Sequence, residues 1–142
     1  MSLVIASGCL DDEEFLRAFH CCELPVTSFR HGDHLRLAWL HLHRESMDDA
    51  LESVRVGLQR FAVHHGAAHN YHETVTSAWV RLLSTHGEPD FAQFIERNAY
   101  RLNLALLHRF WTPSALNSEA ARREWLAPDR EALPAPFPEL SP

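Results

Sequence analysis

Between Ser46 and Gly66 the chain carries its most constraining pattern. Ala50, Leu51, Val54, Leu58, Phe61 and Ala62 recur at spacings of three and four, which puts them on one face of a helix and leaves the other face polar. Ser46 offers a capping oxygen, and Asp48 and Asp49 load the positive end of the helix dipole. His64-His65-Gly66 reads as the stop, because glycine tolerates the left-handed position after a helix and histidine suits its negative end. Gly57 interrupts the stripe at about 1 kcal/mol of helix propensity, which points to close approach by a neighbouring helix. Such a segment cannot be a strand.

The same period recurs along the chain. Asp11 caps a first helix, with Glu14 as its N3 partner and Leu10 and Phe15 as a staple. Phe15, Phe19 and Cys22 form its apolar face, and Leu24-Pro25 ends it. A second helix is predicted from Asp33 as N-cap to about Arg44, burying Leu35, Ala38, Trp39 and Leu42. His34 and His41 lie one above the other at the edge of that face. A fourth helix is expected from near Asn70 to Ser84, and a fifth from Asp90 through Leu102. Leu104 to Trp111 extends it or begins another segment, and Thr112-Pro113 is a break. A short helix from Ser118 carries Trp125 and Leu126, and Pro128, Pro134, Pro136, Pro138 and Pro142 describe an extended tail. No alternating pattern and no repeat appears. The expectation is an all-α chain: a helical bundle of about five helices with a short C-terminal helix, one domain over 1–127, and a Pro-rich tail over 128–142.

Composition narrows the function classes. A formal charge of −6 argues against general affinity for nucleic acid. All 13 basic residues are arginine, which excludes Schiff-base chemistry, a lysine-anchored pyridoxal phosphate and a Walker-type phosphate lysine. The three cysteines, Cys9, Cys21 and Cys22, have neither disulfide-framework nor zinc-knuckle spacing. Cys21 and Cys22 are expected to pack as small hydrophobes. Met1 to Ala6 lacks a basic region, and no apolar run reaches the roughly 18 residues of a membrane span. A cytoplasmic protein is expected.

The histidines carry the functional question. Of 11 in the chain, His64, His65, His69 and His72 fall within sixteen residues ending at Trp79. On the helical wheel His72 sits inside the apolar arc beside Val75 and Trp79, and Glu73 lies roughly 100° further round, toward solvent or a polar pocket. In an alternating up-and-down bundle the second and fourth helices run parallel, which brings His31 and His34 to the same rim as His72. That set predicts a divalent transition metal, zinc or iron, on His31, His34 and His72, with Glu73 as base or orienting group. His65 or His69 could add a ligand. Tyr71, Thr74 and Trp39 would line the substrate. The spacing matches neither H-E-x-x-H nor paired E-x-x-H motifs. Metal-free acid–base work by His72, Glu73, Thr74 and Thr76 at a helix N-terminus is a second option. Asn70-x-x-Glu73 also fits an ordinary capping box.

Two segments, Phe29-Arg30-His31-Gly32-Asp33-His34-Leu35-Arg36-Leu37-Ala38-Trp39 and Tyr71-His72-Glu73-Thr74-Val75-Thr76-Ser77-Ala78-Trp79, resemble a family of small uncharacterised bacterial proteins with F-x-H-x-x-H-L-x-x-A-W and Y-H-E-T-x-T-x-A-W motifs. Ser118 to Arg122 and Pro128-Asp129 are similar as well. The resemblance supplies no activity. It implies that His31, His34, Tyr71, His72, Glu73 and Thr74 belong to a recurring motif and that His41, His43, His65 and His69 do not. The expectation is a small-molecule enzyme or binding protein built on His31, His34 and His72, with homodimerisation left open. The alternative is a non-catalytic helical interaction module whose histidines are structural.

Overall fold

The structure, a computed structural model, describes residues 10–135, apart from the side chain of Ser28. Cys9, the Met1–Ala6 stretch and the prolines at 136, 138 and 142 lie outside the described residues. Every regular element among those described is helical: eight α-helices and three 3₁₀ turns. The chain divides into two compact units, one ending at Tyr71 and the other beginning at His72.

The first unit holds α1 (Asp12–His20), α2 (His31–Leu42) and α3 (Met47–His64). Asp11 caps α1 by accepting from the Glu14 N–H, and Ser46 caps α3 by accepting from that of Asp49. α3 packs against both α1 and α2. Phe15, Phe19, Phe29 and Phe61 form a continuous aromatic stack at its heart, with Phe19 in ring contact with both Phe29 and Phe61. Both α1 and α3 end in Schellman motifs. In α3 the left-handed residue is Gly66, at φ 69°. In α1 it is Cys22, at φ 60°, where a side chain costs about 1–2 kcal/mol. Cys22 is nonetheless buried, while Cys21 is exposed.

α2 differs from expectation at its start. It begins at His31, and Asp33 is its third residue rather than its cap, accepting from the Arg30 N–H at 2.9 Å. Leu37 and Leu40 are buried together with Leu35, Ala38 and Trp39, so the helix is covered on more than one face. A wheel that assumes one solvent face misses this.

The second unit holds α4 (Glu73–Leu83), α5 (Phe91–Asn98), α6 (Leu104–Leu107), α7 (Pro113–Leu116) and α8 (Glu119–Arg123). Leu102 belongs to none of them, following a 3₁₀ turn over Ala99–Arg101. Thr112-Pro113 is a start as well as a break: Thr112 caps α7, and Pro113 takes its first position, where no N–H is needed. α4 packs on α8. Trp111 is fully buried, edge-on to Trp125, and donates its indole N–H to the Leu126 carbonyl. Beyond α8 the chain folds back. Asp129 accepts from both the N–H and the hydroxyl of Thr112, which hold its carboxyl below the usual carboxylate range. Arg130 donates its N–H to Phe110.

Candidate functional site

The residues singled out by sequence divide between the two units. His31, His34, Trp39 and Tyr71 lie in the first; His72, Glu73 and Thr74 lie in the second. His31 is the exposed first residue of α2. His34 donates Nδ1–H to the Arg30 carbonyl at 3.0 Å and rests on the Phe29 ring. Burial holds its pKa below the ordinary value, against a raising effect of that carbonyl bond. Trp39 is buried in ring contact with His43. Tyr71 is half-buried at the end of the 3₁₀ turn Ala68–Asn70.

His72 is the N-cap of α4. Its Nδ1 accepts from the Val75 N–H at 3.1 Å, so the proton sits on Nε2, which donates to the Leu116 carbonyl at 2.8 Å. Both ring nitrogens are committed, and a metal would have to take one from the backbone. The expected Asn70–Glu73 capping box does not form, because α4 starts three residues later than expected and the imidazole does the capping. Glu73 is buried, 7% exposed, and not turned to solvent. Thr74 is fully buried; its hydroxyl donates to the Glu124 carbonyl at 2.8 Å and accepts from the Leu126 N–H at 3.0 Å. His72 and Thr74 thus pin the segments around α7 and α8 onto the start of α4. Among the described residues no group of three or more His, Cys, Asp or Glu side chains is placed to hold a metal ion.

Thr74→Val tests the clasp. The shapes match, so packing is kept while the Leu126 N–H and Glu124 carbonyl lose their partner. The expected loss is about 1–3 kcal/mol in urea unfolding followed by circular dichroism. A change under about 0.5 kcal/mol would show that solvent reaches both backbone groups.

A different set of histidines meets in the first unit. His20 closes α1 and its Nε2 lies 3.0 Å from Nε2 of His41 on α2. Nδ1 of His41 lies 2.7 Å from Glu45, just past the end of α2, and the other Glu45 oxygen accepts from Ser53 on α3 at 2.9 Å. A carboxylate only accepts, so His41 carries its proton on Nδ1 and presents Nε2 as a lone pair. His20 must then carry its proton on Nε2, leaving Nδ1 as acceptor. One hydrogen-bonded chain of four side chains crosses three helices.

Local chemistry places each member. His41 and Glu45 are four apart, within reach along a helix edge. Gly57 lets His20 lie on α3: a Cβ there would come within 3.0 Å of His20 Cε1 and 2.7 Å of Phe19 Cε2. The chain lines a cavity of about 490 Å³, shared with Asp49, Glu52, Val56, Gly57 and Arg60. Burial depresses the pKa of His20, helped by His41 and Arg60 and opposed by Glu45. Sequence held three signals for this site: the His41-x-x-x-Glu45 spacing, Gly57 within an otherwise regular helix, and a histidine closing α1.

No described helix is long and apolar enough to cross a membrane. No family model, curated protein or solved structure matches the chain, so the site is read from its own chemistry.

Proposed function

We propose that the chain is a small-molecule binding protein with a metal-independent acid–base site, centred on His20, His41, Glu45 and Ser53. The observation that carries this reading is the unbroken hydrogen-bonded chain from His20 to Ser53, opening on a cavity. A carboxylate behind an imidazole fixes its tautomer and stabilises its protonated form. A ligand proton accepted at His20 Nδ1 lets the Nε2 proton pass to His41 Nε2, so the charge comes to rest beside Glu45. The return path restores the starting tautomers. Nothing is consumed, as proton transfer in catalysis requires. The net charge of −6 favours small ligands over nucleic acid as the partner class.

The test is a screen of small weak acids and amines followed by ¹H–¹⁵N NMR. Ligands should shift the signals of His20, Ser53 and Gly57, and His41→Asn should weaken their binding about tenfold or more. Ser53→Ala, which leaves both imidazoles in place, should act in the same direction. Binding that ignores both substitutions would overturn the reading in favour of a helical interaction module with structural histidines.

A further inference from the structure

His20 and His41 face each other head-on. Their ring centroids are 5.2 Å apart and the rings stand at 82°, while Nε2 to Nε2 is 3.0 Å. The centroid separation is close to the nitrogen separation plus the two ring radii, so each Nε2 points straight at the other. Two ligands of one metal would instead aim their lone pairs at a common point to the side. The contact is built to share one proton between two nitrogens.

One added proton is accommodated. It enters at His20 Nδ1, and the charge settles on His41 against the Glu45 carboxylate with every hydrogen bond kept. A second proton is not accommodated, because both Nε2 atoms would then carry hydrogen across a 3.0 Å gap, on two cationic rings. The groups around the pair set the balance. From α3, Arg60 adds to the repulsion, and its guanidinium donates to the His20 carbonyl at 3.4 Å. Glu45, beyond α2, and Asp49 and Glu52 on α3 supply the negative charge that draws protons in.

What the contact restrains is the end of α1. The turn after His20 holds Cys22 in the left-handed conformation that a side chain disfavours. His20 and Arg60 also line a second cavity of about 600 Å³ with Cys21, Cys22, Val63 and His64. They are therefore the wall common to both cavities.

We propose that the His20–His41 contact is an acid-released latch: a second proton parts the rings, frees the last turn of α1 and opens the wall between the two cavities. The sign follows from burial. His20 sits below its ordinary pKa of 6.5 when latched and returns toward it when released. Release therefore takes up protons; the latch is fully closed above about pH 6.5 and is lost as pH falls through the depressed value.

The latch uses the side chains of the acid–base reading but needs no ligand. A failed ligand screen leaves it standing, and failure of the latch leaves the binding reading standing. Its reporters are the amides of Cys21, Cys22 and Glu23, which donate to Arg17, Phe19 and Ala18. After correction for intrinsic rates, their hydrogen exchange should accelerate about tenfold or more between about pH 7.5 and pH 5, with Val54 in α3 unchanged. In His20→Gln, whose amide donates to neutral His41 and accepts from protonated His41, the acceleration should stay under about twofold. Equal acceleration in both proteins, or none in the wild type, would overturn the latch. Should His20→Gln not fold, ¹⁵N titration of the wild-type imidazoles decides. Coupled steps with the second displaced to low pH support the latch; two independent titrations near the ordinary value refute it.

Discussion

Trp111→Ala is expected to cost about 3–5 kcal/mol, the range for deleting a large aromatic from a core. Trp111 has no exposed surface and meets Trp125 edge-on at 5.6 Å. Its indole N–H donates at 2.9 Å to Leu126, the same residue whose N–H reaches Thr74. Alanine would remove the volume, the aromatic contact and one of the two bonds made by the Leu126 backbone. Because α6 and α7 have only four residues each, they have little stability of their own and rely on such tertiary contacts. Urea unfolding by circular dichroism measures the loss, and Trp111→Phe should recover part of it by restoring the ring without the N–H. A loss below about 1 kcal/mol for the alanine variant would show that the ring is not the anchor of this unit.

Phe19→Ala should have a comparable effect in the first unit, again about 3–5 kcal/mol. The ring is fully buried, 5.1 Å from Phe29 and 5.3 Å from Phe61. It also meets the His20 imidazole at 4.9 Å, so its loss disturbs the acid–base chain as well. Its partner in the test is Gly57→Ala. That substitution adds about 1 kcal/mol of helix propensity but sets a methyl 2.7 Å from a ring edge that the stack holds still. Overpacking of about 1–3 kcal/mol is expected to win. In the double variant the vacated ring space takes up the new methyl, so the combined loss should fall short of the sum by about 0.5 kcal/mol or more. Strict additivity would mean that Gly57 and Phe19 do not compete for the same space.

Gly57 also marks how far the sequence could be read. Its position in a good helix signalled close approach, but not that His20 was the neighbour. The motif residues meet the same limit. His72, Glu73 and Thr74 looked like chemistry because polar groups at a helix start often bind ligands. Nδ1 of His72 caps its own helix, and its Nε2 and the hydroxyl of Thr74 serve backbone groups 44 to 52 positions away. Nothing local distinguishes a polar group that meets substrate from one that meets a distant carbonyl. His41 lies outside the recurring motif, although its spacing to Glu45 is visible in the sequence.

Read alone, the sequence determined the all-α class, the caps by Asp11 and Ser46, and the helix starts at Asp90 and Ser118. It also placed the stop at Gly66. These depend on groups two to five residues apart, which the helix period brings together wherever the helix sits. Only the tertiary structure decided that His20 meets His41 and that Thr74 reaches Glu124 and Leu126. Those pairings depend on which helix faces are pressed together, and at Gly57 on how closely. Spacing along the chain carries no record of either.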